Sequence, residues 1–382
     1  MIPVMRPWLG QEEAEAAAEA VASGWIAQGP RVREFEDAFA AAIGPPHAVA
    51  VSSCTTALHL ALTAAGIGPG DEVIVPSLSF IATANAVRYV GAQPVFADVD
   101  LATQNLIPHT VEPHLTGRTR AVILVDQAGV PADLDAIRAL CDPLQVTVIE
   151  DAACAAGSTY RGRPVGAGAA LAAYSFHPRK LLTTGEGGMI TTADGPVDGR
   201  LRRLREHGMD ISAADRHRSQ QPVIEHYTEV GFNYRMTDIQ AAIGLVQLRK
   251  LPQMVARRRA LARRYQELLS GIPGLLTIDD PAYGETNYQS FWVLLPEQSA
   301  VGRDDLLQLL ADAGVSARRG IMAAHLEPAY TGVMSSLPVT ERLTGHSLIL
   351  PLFHQMTQAQ QDQVVSVVTS ALTQPTPAVS VR

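Results

Sequence analysis

The stretch RAVILVDQAGVPADLDAIRALCDPLQVTVIED, residues 120–151, decides the fold class. RAVILVDQ (120–127) and VTVIED (146–151) are short apolar runs closed by polar residues, the pattern of strands buried on both faces. Between them PADLDAIRALC has helical periodicity and a plausible start signal. Strand, helix and strand in that order predict a parallel crossover unit. DEVIVP (71–76) and PVFADVD (94–100) repeat the strand pattern, and TTALHLALTAAG and IATANAVRYVG repeat the helical one. The alternation predicts an α/β protein whose parallel sheet is covered by helices on both faces. Such sheets present functional groups at the carboxyl ends of their strands.

The texture changes near residue 200. A polar stretch with little periodicity, MDISAADRHRSQQPVIEHYTEV, occupies 209–230, and we expect it to help select substrate. GFNYRMTDIQAAIGLVQLRKL then reads as a turn and a capped helix, and a second, arginine-rich helix follows. A smaller α/β region runs from about 272 to 372, with a frayed tail over 373–382. The expected division is a large domain at 1–245 and a smaller C-terminal domain at 246–382.

Bulk composition excludes several classes. With 47% hydrophobic and 18% charged residues the chain is too apolar for disorder. A net charge of -8 argues against nucleic acid as a partner. The basic cluster Arg257, Arg258, Arg259, Arg263 and Arg264 reads as a solvated helix face. Cys54, Cys141 and Cys154 have neither metal-ligand spacing nor the count of a disulfide framework. No secretory h-region opens the chain, and no apolar run approaches the roughly 20 residues that span a bilayer. A reduced, cytoplasmic protein without membrane contact is the expectation.

One lysine needs a reason. In SFHPRKLLTTGEGG (175–188), Lys180 lies between the strands LAAYSF and GMITT. A lysine inside a sheet protein is costly to bury unless something uses it. Asp151 closes VTVIED at the ligand-bearing edge, where its plain reading is a helix cap. Together the two suit pyridoxal phosphate (PLP): a lysine amine forms a Schiff base with an aldehyde, and a carboxylate holds a pyridinium nitrogen protonated. A third requirement is a phosphate seat. VSSCTTALHLAL sets small hydroxyl residues before an apolar helix, whose N-terminus can hold an anion or merely be capped. Ser175 could add a donor, and Phe80 could stack on a planar ring or simply pack in the core. RGRPVGAGAAL has a glycine pair but no GxGxxG after a strand, so a dinucleotide site is not expected.

Taken together, GWIAQGPRVREFEDAFA, TTALHLAL, GIGPGDEVIVPSLSFIATANAV, IEDAACAAGS, SFHPRKLLTTGEGGMITT, GFNYRMTDIQAAIG and YQSFWVLL resemble the DegT/DnrJ/EryC1/StrS family of PLP-dependent aminotransferases. The resemblance covers nearly the whole chain. It implies the aspartate aminotransferase-like fold type I, with a mostly parallel seven-stranded sheet in the large domain and a smaller C-terminal α/β domain. By the resemblance, Lys180 carries the cofactor and Asp151 pairs with its ring nitrogen. Cys54, Thr55, Thr56 and Ser175 would lie at the phosphate, Phe80 on the ring and Cys154 near the ring oxygen. Asn233, in the family's GxNYRM motif, would reach the cofactor of a neighbouring subunit, making a homodimer with shared active sites. Trp25, Ile26, Gly29 and His325 would lie on the substrate side.

The chain departs from the family's pattern in places. Cys54 stands where glycine is common, Cys154 replaces a usual Gln or His, and Asp126-Gln127 replaces a usual His and apolar residue. GAGAAL lacks the usual acid of its turn. A dehydratase branch of the family has histidine in place of the lysine; Lys180 is present here, so transamination is expected. The implied cycle is ping-pong, with glutamate or glutamine as donor and Lys180 as the proton carrier. That role needs a neutral amine, which burial near a positive ring would favour. The resemblance points to a nucleotide-linked 4- or 3-keto-deoxysugar as acceptor, as for perosamine-type enzymes in aminosugar and antibiotic biosynthesis. A cyclitol or other specialised-metabolite ketone, PLP-dependent elimination on an amino acid, and a non-catalytic binder are the rival readings.

Overall fold

The computed structural model describes residues 1–212, 216, 221–222, 224–299, 301–330, 332 and 336–373. Part of the 209–230 stretch and nearly all of the expected frayed tail lie outside them.

Nine strands belong to the first half of the chain: β1 (His47–Val51), β2 (Glu72–Pro76), β3 (Gln93–Ala97), β4 (Thr119–Val125), β5 (Thr147–Asp151), β6 (Thr159–Tyr160), β7 (Arg163–Pro164), β8 (Leu171–Ser175) and β9 (Gly188–Thr192). Seven of them form one sheet in the order β1-β9-β8-β5-β4-β2-β3. Each pair from β3 to β8 is parallel, and only β9 runs against the rest. Helices cover both faces, so β4 and β5 are buried almost throughout. The expected fold is therefore the observed one.

Parallel pairing sends several chain reversals to one edge. In register, Val125 faces Asp151, Asp151 faces Ala173, and Gly188 faces both Ser175 and Val51. The loops that follow β1, β2, β4, β5 and β8 all open there, which is where such sheets hold ligands.

The second half builds a smaller sheet, ordered β10-β12-β14-β13, from β10 (Leu276–Thr277), β12 (Phe291–Leu294), β13 (Arg318–Arg319) and β14 (Ser347–Leu350). The remaining strand, β11 (Gly284–Glu285), pairs back with β6. Two features differ from expectation. The chain's start belongs with this smaller unit: Ile2 bridges Val315, and Leu352 N–H donates to the Val4 carbonyl at 3.0 Å. The expected boundary at 245 also falls inside a single helix, Asp238–Leu269.

That helix replaces the two expected ones. It runs through Pro252, although proline there removes one ladder bond and costs roughly 3 kcal/mol. Burial on both sides of the break, by Val246, Leu251, Met254 and Leu261, keeps the segment helical. The reading of the arginine cluster is corrected in part: Arg257 and Arg263 are exposed as expected, but Arg258 is not. Arg258 is only 4% exposed and donates to the carbonyls of Tyr288, Leu352 and Gln289 at 2.7, 2.8 and 2.7 Å. Arg257 bonds the carbonyls of His354 and Met356, and Arg259 that of Thr286. These side chains clamp the helix to the small sheet because backbone carbonyls turned inward there need donors.

Candidate active site

Lys180 lies in the loop between β8 and β9, with its N–H bonded to the His177 carbonyl at 2.8 Å. Its Nζ is 3.0 Å from Cys154 Sγ. Asp151 ends β5 on the same sheet edge, within electrostatic reach of Lys180. Cys54 completes the cluster, with Sγ 4.0 Å from Asp151 Oδ1. The structure thus brings Lys180, Asp151, Cys54 and Cys154 together.

The chain has two lysines, Lys180 and Lys250. Lys250 is committed to Glu13 at 2.8 Å and Glu12 at 3.4 Å, on the helix Gln11–Ala22. Lys180 is therefore the one lysine whose amine faces the functional edge of the sheet.

Burial raises the Asp151 carboxyl above its usual range, and the hydrogen bonds from Thr83 Oγ1 (3.0 Å) and Ala153 N–H (3.2 Å) and the charge of Lys180 only partly offset it. For Lys180 burial disfavours the charge, but Cys154, then Cys54 and Asp151, outweigh it and hold the ammonium above its usual range. This is opposite to the depressed amine expected beside a positive ring; in the protein alone the neighbours are acids. Burial and Asp151 push the Cys54 thiol well up.

The phosphate candidates divide. Ser53 is the N-cap of the helix Cys54–Ala64, accepting from Thr56 N–H at 3.2 Å. Thr56 spends its hydroxyl in return, on the Ser53 carbonyl at 2.7 Å. The Cys54 thiol turns toward Asp151 rather than toward the helix end. What remains for an anion are the amides of Cys54 and Thr55, which have no acceptor among the described residues, and the Thr55 hydroxyl. Gly188 lets this helix end abut the sheet: a Cβ there would sit 2.5 Å from the Ser53 carbonyl carbon and 2.7 Å from Cys54 N. Ser175 ends β8 one register pair away, its Oγ near His177 N–H at 3.5 Å.

Phe80 lies beyond the end of β2 and is 70% exposed, so it is not the core residue its type usually makes. Asn233 is exposed, its side chain without a hydrogen bond to the described residues, while the neighbouring Tyr234 carbonyl accepts the Ser52 N–H at 2.9 Å. Trp25 and Ile26 are exposed. Gly29 has a structural duty: Asp238 accepts its N–H at 2.8 Å and that of Val32 at 2.9 Å, capping the helix Pro30–Ile43. A Cβ at Gly29 would meet Asp238 Oδ2 at 2.7 Å. His325 has an internal hydrogen-bond partner. It is buried, with Nδ1 2.6 Å from Ser77 Oγ, in a segment that pairs with the loop after β2.

Sequence reasoning missed three side chains. Thr83, on the helix Ala82–Tyr89, bonds Asp151 Oδ2 and lies 2.8 Å from Ser79 Oγ. Its only signal was a polar residue on a buried helix face. Gln289 bonds the backbone on both sides of Lys180, and Asn287 Nδ2 donates to the carbonyls of Cys154 and Ala156, both at 2.8 Å. An amine, a facing carboxylate, an exposed aromatic plate and an anion-ready helix end form a set that fits pyridoxal 5′-phosphate. Among the described residues there is no metal-ligand cluster, and no helix is long and apolar enough to cross a membrane.

Comparison with known proteins identifies the family of the chain. A sequence profile of the DegT/DnrJ/EryC1/StrS aminotransferase family matches residues 7–369. The aminotransferase TlmJ from Streptoalloteichus hindustanus is 38% identical, with 97% of this chain and 99% of that one covered and a TM-score of 0.90. DesV from S. venezuelae, solved in complex with a ketimine intermediate, is 35% identical over 98% and 99%, with a TM-score of 0.88. The sugar aminotransferase CalS13 from Micromonospora echinospora is 28% identical over 97% and 100%, with a TM-score of 0.88.

Proposed function

We propose a reaction for this chain from one premise: it belongs to the DegT/DnrJ/EryC1/StrS aminotransferase family and is a PLP-dependent transaminase. The reaction moves an amino group from glutamate or glutamine to the ketone of a nucleotide-linked deoxysugar, as a perosamine synthase does. The observation that carries the chemistry is the gathering of Lys180 and Asp151 on one sheet edge, beside a helix end with open amides. The sugar acceptor is supported by the likeness to a structure named a sugar aminotransferase.

Pyridoxal phosphate, when bound, supplies the aldehyde carbon that takes the amine and a ring that draws electrons from it. The protein's part is to hold and to move protons. Asp151 keeps the ring nitrogen protonated, since an opposite charge at short range favours both charged forms. Thr83 fixes one carboxylate oxygen for that task. Lys180 Nζ takes the proton from the donor's α-carbon and returns it on the other side of the transfer. The amides of Cys54 and Thr55, the Thr55 hydroxyl and Ser175 would hold the phosphate, and Phe80 would stack on the ring. Thr56 acts indirectly, by fixing the helix end. Cys154 lies beside Lys180 and would be near the ring oxygen.

Asn233 completes the phosphate site of a second subunit, so the working unit is a homodimer; its exposed side chain, without a hydrogen bond among the described residues, supports this. The cofactor-binding unit lies before the helix Asp238–Leu269, and the smaller unit comprises the described residues after it together with the chain's first few residues. The three unpaired cysteines are consistent with the cytoplasm.

The test is a substrate panel. Holoenzyme with glutamate or glutamine is offered nucleotide-linked 4-keto and 3-keto deoxysugars alongside keto-cyclitols, and products are read by mass. An aminated nucleotide sugar is expected. Amination of cyclitols alone, or ammonia and pyruvate released without any ketone, would overturn the assignment.

A further inference from the structure

We propose that Cys154 and Lys180 form an oxidisable pair, which peroxide joins through a sulfur–nitrogen bond that removes the amine the cofactor needs. Their Sγ and Nζ atoms are 3.0 Å apart, and Nζ has no other hydrogen-bond partner among the described residues. Cys154 is half-buried rather than sealed in the core, so a small oxidant reaches it. The thiolate is the form of a cysteine that reacts with peroxide.

The other two cysteines are poor candidates. Cys141 is buried in the core, where burial pushes its thiol up to about 11. Cys54 is held well above the usual thiol range by burial and by Asp151. Neither supplies a thiolate at neutral pH, so neither competes with Lys180 for an oxidised Cys154.

The chemistry balances with hydrogen peroxide as the only oxidant. The Cys154 thiolate attacks a peroxide oxygen, the O–O bond breaks, and the departing hydroxide takes a proton from the Lys180 ammonium, leaving a sulfenic acid, water and a neutral amine. Neutral Lys180 then attacks the sulfur. The S–O bond breaks, and the departing hydroxide takes the proton shed by nitrogen and leaves as water. Sulfur loses two electrons and peroxide gains them. A dithiol reverses the link: one thiol attacks sulfur, the amine leaves with a proton, and the second thiol frees Cys154 while closing the reductant's own disulfide. A cofactor attached to Lys180 occupies the nitrogen and protects the pair.

That last consequence rests on Lys180 being the cofactor's anchor; the cross-link itself does not. Full-length enzyme, cofactor-loaded and after cofactor removal, is treated with hydrogen peroxide and digested without reductant. The stripped protein is expected to yield a joined peptide containing Cys154 and Lys180, lighter than the two peptides by two hydrogens and separated by dithiothreitol. Cofactor-loaded protein and C154S should lack it. Added PLP should no longer produce its visible band with oxidised protein and should do so again after dithiothreitol. Over-oxidised Cys154 with unmodified Lys180, or a Cys54–Cys154 disulfide, would overturn the proposal. A cross-linked protein that still loads cofactor would overturn the anchoring role of Lys180 and leave the cross-link standing.

Discussion

Gln289 brackets Lys180: its side-chain oxygen accepts the Leu181 N–H at 2.9 Å, and its side-chain nitrogen donates to the Arg179 carbonyl at 2.6 Å. The lysine sits in a loop, so these two bonds do the work that a strand ladder would do elsewhere. Gln289 is itself held, its N–H by Asn287 Oδ1 at 2.7 Å and its carbonyl by Arg258. Orientation of the Lys180 amine is thus a property of the smaller unit as much as of the sheet.

Gln289→Ala leaves the Leu181 amide and the Arg179 carbonyl unpaired, at about 1–3 kcal/mol each while they stay buried. It also lets the amine drift, and a misplacement of about 1 Å can cost ~10²-fold in rate. We expect kcat to fall by roughly 10–100-fold with a smaller change in donor KM. Gln289→Glu keeps one of the two bonds and should fall between. A kcat within about twofold of the parent would mean that other contacts position the loop.

Thr83→Val removes a hydrogen bond that lowers the Asp151 pKa, so that pKa rises further. The acid limb of the pH–rate profile should move to higher pH. The half-reaction with glutamate should slow by about tenfold, the worth of a hydrogen bond of ~1.5 kcal/mol to a charged group. Asp151→Asn should cost more, at least ~10²-fold. An unmoved acid limb in Thr83→Val would detach Thr83 from the chemistry.

Arg258→Met deprives three carbonyls of their donor and should lower unfolding free energy by roughly 3 kcal/mol or more. Arg258→Lys cannot span all three and should recover only part of that loss. Urea denaturation reads both. A Met variant as stable as the parent would mean that solvent satisfies those carbonyls.

Glu150 is buried in β5 next to Asp151, and burial raises its carboxyl from 4.5 to about 7. A folded value above the unfolded one means stability is full below about 4.5 and is lost as pH rises through about 7. Glu150→Gln should therefore melt near the parent at acid pH and above it at pH ~8, by on the order of 1–3 kcal/mol. Melting curves across that range decide it; a constant difference between the two proteins would contradict the neutral buried acid.

Much of this was readable before any coordinates. The strands around 120–151 announced themselves as apolar runs, and Asp151 at a buried strand's end and Lys180 between two strands stood out because a charged residue in such a place needs a reason. Local patterns carry that information. Gln289, Asn287 and Arg258 were not legible, because each acts on backbone atoms far away in the chain and none disturbs a local period. Arg258 was misread for the same cause: its helix is polar enough to look solvated, and only tertiary packing shows the inward carbonyls it meets. Asp238 and Gly29 show the converse, a glycine placed near substrate by resemblance but explained by the carboxylate that caps it.

The central claim is that the Lys180 amine carries the cofactor. Reducing the loaded enzyme with borohydride and mapping its peptides tests this directly, since Lys180 and Lys250 are the only lysines in the chain. The pyridoxyl mass should appear on Lys180 and nowhere else; a label on Lys250, or none at all, would contradict it.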